Sequence, residues 1–207
     1  MPYLGNQHIV GDSVRNFKVL DDISSHTATF DGSSASVVST SDNTIRIINH
    51  RFVQGQRVVY SNGGGGNING LTANAYYIIK DSPHTFKLAA NESDAASLTP
   101  INLTSVGTGS SHTLRVSFDG VNKKFKATHS SGNKTHIHHA TQLSVSINNV
   151  PQRPNDNLTF TEGFAVENKS IIVFKQAPIP TDIFFGSAFG ETLGTFDISD
   201  LAIDNYV

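Results

Sequence analysis

Short runs in which apolar and polar residues alternate recur along most of the chain, and turn-forming residues stand between them. Alternation with a period of two predicts strands that bury one face. The predicted strands cover residues 26–30, 35–40, 44–49, 56–60, 75–80, 85–89, 112–118, 124–129, 142–150, 158–160, 170–174 and 182–186. Runs this short and this regularly spaced are typical of sandwiches and barrels, so the pattern predicts an all-β fold.

The strand pattern divides the chain into four parts. Two small antiparallel β-sandwich or barrel modules are predicted at residues 25–117 and 118–190. Residues 1–24 show no sustained alternation and are interpreted as an extended N-terminal arm, with a frayed terminus as the alternative. Residues 191–207 become acidic and are interpreted as a linker-like tail.

The arm contains apolar side chains that an extended segment cannot bury by itself. Tyr3, Leu4, Ile9 and Phe17 are therefore the predicted partner-binding residues. An extended segment can bind by adding a strand to a neighbouring sheet while its side chains enter apolar pockets. The arm is thus expected to act through contact with another subunit.

Composition narrows the classes of protein further. Charged residues make up 15% of the chain and the formal net charge is −2, which argues against disorder and against a basic surface for nucleic acid. No run of 18 consecutive apolar residues occurs, so no membrane insertion is expected. The chain has no cysteine, which excludes disulfides, thiolate metal sites and cysteine nucleophiles.

The histidine-rich run THIHHA is the sharpest chemical candidate. On a strand, His136 and His138 would share one face, and a threefold axis would bring six imidazoles together. The alternative is a solvent-exposed polar run, and it is favoured because no carboxylate stands beside the histidines. No metal and no cofactor are therefore predicted, with His136 and His138 as weak candidates. His50, His84 and His112 are expected to form hydrogen bonds in turns.

Other motifs give no support for catalysis. The four glycines at 63–66 lack the Gly-Lys-Ser/Thr sequence of a phosphate-binding loop, which favours a flexible hairpin tip. No G-x-S-x-G elbow occurs, and the acidic residues are scattered among turns, linker and tail. The prediction is that the protein is not an enzyme and has no catalytic residues.

Residues 50–114 resemble a module of tailed-bacteriophage structural proteins. The pattern there is a strand G-x-x-V-x-Y, a Gly-rich loop, G-L-T, Y-Y-x-I, F-K-L-A and finally G-x-G-x-x-H-T-L. The matching residues are Gly55, Val58, Tyr60, Gly70-Leu71-Thr72, Tyr76-Tyr77-Ile78-Ile79, Phe86-Lys87-Leu88-Ala89, Gly107, Gly109 and His112-Thr113-Leu114.

Residues 118–190 resemble a second module of the same proteins. Its marks are F-D-G-x-x-x-x-F at 118–125, L-x-V-S-I-N-x-V-x-Q-x-P at 143–154, I-x-F-x-x-A-P at 172–178 and D-x-F-F-G at 182–186. The two likenesses together cover about two-thirds of the chain. The family is best known from tail fibres and related virion proteins, notably of phages that infect cyanobacteria.

The resemblance implies a virion structural protein, either a tail fibre or its virion-attached N-terminal part. Such a protein is made in the host cytoplasm, docks through its arm on other tail proteins of adaptor, nozzle or baseplate type, and positions the host-attachment parts. It is expected to be a homo-oligomer, with a trimer favoured. The alternative is a module that recognises host-surface glycans or another receptor through the loops at 61–70 or 129–139.

Overall fold

The computed structural model describes residues 18–130 and 132–189, and almost all of its regular structure is β. The strands of the first half are β1 (Lys18–Val19), β2 (Ser25–Phe30), β3 (Val38–Ser39), β4 (Thr44–Arg46), β5 (Arg57–Ser61), β6 (Ala75–Lys80), β7 (Thr85–Ala89) and β8 (His112–Ser117). Those of the second half are β9 (Lys124–Lys126), β10 (Thr128–His129), β11 (Asn133–Lys134), β12 (Leu143–Ile147), β13 (Val150–Pro151), β14 (Pro154–Asn155), β15 (Phe164–Glu167), β16 (Ile171–Phe174) and β17 (Phe184–Ala188). An α-helix, α1 (Glu92–Ala96), and a 3-10 helix at Ala140–Gln142 complete the elements.

A seven-stranded antiparallel sheet is built entirely from strands between Ser25 and Ser117. Its order is β2-β8-β5-β6-β7-β4-β3. The similar sequences HTATFDG and HTLRVSFDG lie side by side in this sheet as β2 and β8, with His26 opposite Val116 and Phe30 opposite His112. Alternation along each strand places one set of side chains in the core, as in β8, where His112, Leu114 and Val116 are buried.

Together with β1, the strands of the second half form two four-stranded sheets and one two-stranded ribbon. The sheet orders are β1-β17-β12-β13 and β14-β15-β16-β9, and β10 pairs with β11. All of these pairs are antiparallel except β14 with β15. The sheet β1-β17-β12-β13 recruits its first strand from residues that the sequence pattern assigned to the arm.

One continuous apolar cluster joins the two halves. It contains Ile45 and Phe86 from the seven-stranded sheet, and Phe125 and Phe164 from the second half. Rings meet edge to face at the junction, where Phe118 and Phe125 lie 4.9 Å apart between centroids. The two groups of strands therefore share a core and bury apolar surface against each other.

Polar contacts also cross the junction. The buried side chain of Gln56 donates from Nε2 to the carbonyl of Lys124 at 2.8 Å. Arg57 forms an ion pair with Asp119, whose Oδ1 accepts hydrogen bonds from the amides of Val121 and Asn122. These bonds fix the first strand of the second half against β5.

Two differences from the predicted elements have local causes. Residues 158–160 are not a strand, because the Asn157 side chain accepts a hydrogen bond from the Thr159 amide and forms a turn. The strand comes later, as β15, after Gly163 with its φ of 76°. The helix α1 was not predicted from the pattern, although Asn91 caps it by accepting from the Asp94 amide at 2.8 Å.

Candidate functional site

The root of the predicted arm is built into the fold. Lys18 and Val19 pair with Ala188 and Ser187, and the Leu20 amide donates to the Gly186 carbonyl at 2.9 Å. Leu20 and Ile23 are both 6% exposed and belong to the shared core. The last residues of the arm are thus a structural part of the sheet β1-β17-β12-β13.

The predicted partner-binding residues Tyr3, Leu4, Ile9 and Phe17 lie outside the described residues, as do the tail residues 191–207. The first described residue, Lys18, pairs with Ala188 in β1, which is an edge strand of the sheet and lies next to β17.

The same sheet exposes apolar side chains on one face, here called the outer face. Directly opposite residues of antiparallel strands point to the same side. Phe185 therefore shares a face with Ser146 and Pro151, and Val19 shares it with Ser187. Phe185 is 53% exposed and Val19 is 51% exposed. On the outer face, the exposed Phe185 is flanked by Ser146 and Pro151, and the buried Ser187 lies between it and Val19.

The Gly-rich loop between β5 and β6 is held against the chain. Gly66 and Thr108 exchange backbone hydrogen bonds of 3.0 and 3.1 Å, and the Asn69 amide donates to the Ser105 carbonyl at 3.1 Å. A Cβ on Gly65 would overlap the Thr108 carbonyl, so the close approach needs glycine. The predicted hairpin is present, because β5 and β6 pair antiparallel. These bonds also attach its loop to residues 105–108.

A buried hydrogen-bond chain lies beneath this loop. His112 is fully buried, and its Nε2 lies 3.1 Å from the Thr108 carbonyl, which can only accept. Nε2 therefore carries the proton, and Nδ1 accepts from the Tyr60 hydroxyl at 2.8 Å. The Tyr60 oxygen in turn accepts from the Ile68 amide at 3.2 Å. Burial raises the pKa of Tyr60, so its hydroxyl keeps the proton it donates.

Of the three histidines expected in turns, His50 and His84 contact turn backbone, whereas His112 lies in β8. His50 Nδ1 accepts from the Phe52 amide at 3.0 Å, and its Nε2 lies 3.0 Å from the Ser82 carbonyl. His84 Nδ1 accepts from the Asn49 amide at 3.2 Å. His50 is also 2% exposed and packs on Phe52 and Phe86, and this burial lowers its pKa to about 4.

Exposed and buried side chains alternate along the histidine-rich run, although these residues are not paired in a strand. His136 and His138 are exposed on either side of the buried Ile137. The amides of His138 and His139 both donate to Gln142 Oε1, which orders the start of the 3-10 helix. Within residues 18–130 and 132–189, no three histidine or acidic side chains are grouped to hold a metal ion.

The described residues define an all-β protein of two joined strand groups, with an arm root in one sheet and an exposed aromatic side chain beside it. In the part of the chain that the structure covers, no helix is both long enough and apolar enough to cross a membrane. No protein-family model, curated protein or solved structure matches the chain.

The sequence analysis did not predict two features, the buried pair of His112 and Tyr60 and the outer face. The buried His112 and Tyr60 are 52 residues apart in the chain, and neither stands in a motif that names its partner. The outer face had a weak signal, the doubled Phe184-Phe185, which must place one ring on each side of a strand. Pairing of β17 with β12 decides which ring is buried, and it is Phe184.

Proposed function

We propose that the protein is a structural component of a bacteriophage virion, a tail fibre or the virion-attached N-terminal part of one. It is made in the host cytoplasm, docks on other tail proteins through its N-terminal arm and positions the parts that attach to the host. The ordered resemblance over residues 50–114 and 118–190 supports this class. The observation that carries the docking role is the arm root in the sheet β1-β17-β12-β13.

An anchoring arm has to transmit force to the body it holds. Here the chain passes from the arm into β1, which pairs with β17 in the same sheet, and then into buried Leu20 and Ile23. A pull on residue 17 would be resisted by backbone hydrogen bonds and by the shared core. Apolar arm residues Tyr3, Leu4, Ile9 and Phe17 would bind the neighbouring tail protein.

Deleting residues 1–17 is expected to leave a folded protein that no longer incorporates into particles. The deletion keeps β1, Leu20 and Ile23, so the melting temperature should change little. Particle association is measured by sedimenting assembled virions and probing the pellet for the protein. Deleting residues 1–24 is the contrasting variant, because it removes β1 and two core side chains and should lower the melting temperature.

Normal incorporation of the 1–17 deletion would overturn the docking role of the arm. If that variant assembled normally while loss of the loop at 61–70 abolished binding to host cells, the glycan-binding alternative would replace it. The loop offers one feature suited to sugars, an exposed pair of amides in which Asn62 Nδ2 donates to Asn67 Oδ1 at 2.9 Å.

The outer face supports the homo-oligomeric part of the proposal. A half-exposed phenylalanine gains free energy when a second copy covers it, and small β modules bury a modest share of their surface alone. The arm root at Val19 lies on the same face, so contacts there would also fix the direction of the arm. A trimer is the state that the fibre proposal favours.

Phe185→Asp is expected to shift the protein from oligomer toward monomer, because it places a charge at the centre of the covered surface. Sedimentation-velocity measurements over a concentration series check this. Leu98→Asp is the matched control, since Leu98 is 62% exposed near α1 in the other strand group. Equal masses for Phe185→Asp and the unchanged chain would exclude the outer face as the interface.

A further inference from the structure

A cavity of about 80 Å³ lies at the junction of the two strand groups. Ser25, His26 and Val116 of the seven-stranded sheet line one side, and Phe125 and Lys126 of the second half line the other. A water molecule takes up roughly 30 Å³ in the liquid, so the space suits two or three waters or one small tetrahedral ion. The cavity is formed only when both halves are in place.

Arg51 is held at this cavity by an unusual local structure. Its backbone has a φ of 58°, a left-handed conformation that costs free energy in a residue other than glycine. Its guanidinium packs over Gly132, where an added Cβ would overlap it. Two positions separated by 81 residues in the chain are thus adapted to place one guanidinium beside the cavity.

His26 supplies a second feature that points to a ligand. Its Nε2 is shielded from bulk solvent and has no hydrogen-bond partner among the described residues. Burial and the neighbouring Arg51 lower the pKa of His26, so its ring is neutral near pH 7. A second proton would make both ring nitrogens donors, and the one at Nε2 would be free to bind a ligand.

Two cationic side chains and one carboxylate line the cavity, and a second carboxylate lies behind the lining. Arg51 and Lys126 line it together with the titratable His26, against the carboxylate of Asp22, whose oxygens accept from the Ser24 amide and hydroxyl. A further carboxylate, Asp21, lies behind the lining, where Oδ2 accepts from the Thr128 hydroxyl and the Gly132 amide. Both carboxylates thus already accept hydrogen bonds from neighbouring groups.

We propose that this junction cavity binds a tetrahedral oxyanion, phosphate or sulfate, together with a proton taken from solvent onto Nε2 of His26. Arg51 and Lys126 provide charge-assisted hydrogen bonds, and the protonated imidazole adds a third donor. The bound ion joins β2 to β9 across the junction and so stabilises the contact between the two halves. This proposal does not depend on whether the protein is part of a virion.

The test follows the His26 ring by NMR in the full chain, with sodium sulfate compared against sodium chloride at equal ionic strength. Sulfate is expected to raise the pKa of His26 by about one unit, because the anion stabilises the imidazolium. Burial and Arg51 hold that pKa below its ordinary value in the empty protein, so the shift starts from a low baseline. Apparent affinity for sulfate should rise as the pH falls, since each ion is bound with a proton.

Arg51→Gln is expected to weaken sulfate binding at least about tenfold, by removal of a bidentate charged donor. Lys126→Gln is the second variant and leaves the left-handed backbone at residue 51 unchanged. Arg115→Gln is the matched control, because Arg115 is exposed on β8 and does not line the cavity. It should bind sulfate as the unchanged chain does.

Three results would overturn the site: no shift of His26 with sulfate, the same shift with chloride, or undiminished binding in both Arg51→Gln and Lys126→Gln. Inorganic phosphate and a sugar phosphate then distinguish the source of the ligand. Equal binding of the two supports a site for the terminal group of a larger molecule. Binding of inorganic phosphate alone supports a site for the free ion.

Discussion

Lowering the pH from about 6.5 to about 4 is expected to destabilise the folded protein by about 2 kcal/mol through His50 alone. The imidazole is 2% exposed, and its two nitrogens are matched to a neutral ring. The Ser82 carbonyl accepts from Nε2, and the Phe52 amide donates to Nδ1. Protonation would put a hydrogen on Nδ1, where it would face the hydrogen of the Phe52 amide and break that hydrogen bond.

The direction of the effect follows from the lowered pKa in the folded state. The unfolded chain binds a proton near pH 6.5, whereas folded His50 does so near 4. Stability is therefore complete above about pH 6.5, falls as the pH drops through this interval and levels off below it. This difference in pKa between the folded and the unfolded chain corresponds to a loss of at most about 3 kcal/mol in the free energy of unfolding. Partial solvation of the ring makes the loss smaller. His26 acts in the same direction, because burial and Arg51 lower its pKa.

Urea denaturation at a series of pH values measures this loss. His50→Gln should be less stable at neutral pH and should lose less stability between pH 6.5 and 4 than the unchanged chain. His138→Gln is the control, because it removes an exposed histidine instead of a buried one. An unaltered pH dependence in His50→Gln would show that another group causes the acid sensitivity.

Replacement of His112 by Ala is expected to cost about 3 to 5 kcal/mol of stability. The ring is fully buried, and its removal leaves the Tyr60 hydroxyl without an acceptor and the Thr108 carbonyl without a donor. It also opens a cavity, since the ring lies so close to Gly32 that an added Cβ there would overlap it. The loss should loosen the Gly-rich loop, which pairs with Thr108.

The companion variant Tyr60→Phe keeps the aromatic ring and removes only the hydroxyl. It should cost about 1 to 2 kcal/mol, because the Ile68 amide and His112 Nδ1 lose a partner. Combining the two substitutions should cost less than the sum of the separate losses, as expected for groups that bond to each other. Additive losses would contradict a direct bond, and His138→Ala provides the exposed-histidine control.

Local alternation predicted much of the sheet structure. Residues 75–80 and 85–89 form β6 and β7 with the predicted bounds. The second run alternates, whereas the first is a short apolar run rich in tyrosine and isoleucine, which also favours a strand. Prediction failed where a side chain overrides the pattern, as Asn157 does in the turn before β15 and Asn91 does at the start of α1. Such side-chain caps act over two or three residues and compete with strand pairing.

The candidate sites were less predictable than the strands. The run at 136–139 is the motif that most resembles a site in the sequence, and the structure places His136 and His138 on the surface, as the favoured interpretation of an exposed polar run predicted. The cavity at the junction is lined by Arg51 and His26, and neither residue stands in a recognisable sequence motif. The features that make them candidates are the left-handed backbone at Arg51 and the burial of His26 Nε2, and both are visible only in the folded chain.

The sequence by itself determined that this protein is all-β, because the period of two in its apolar residues fits only strands with one buried face. The tertiary structure decided which histidines are buried, which of Phe184 and Phe185 faces out, and that residues 18–24 belong to the body. These features depend on contacts between residues far apart in the chain, such as Tyr60 with His112 and Arg51 with Gly132. Local patterns do not encode such contacts, and only the packed sheets bring the partners together.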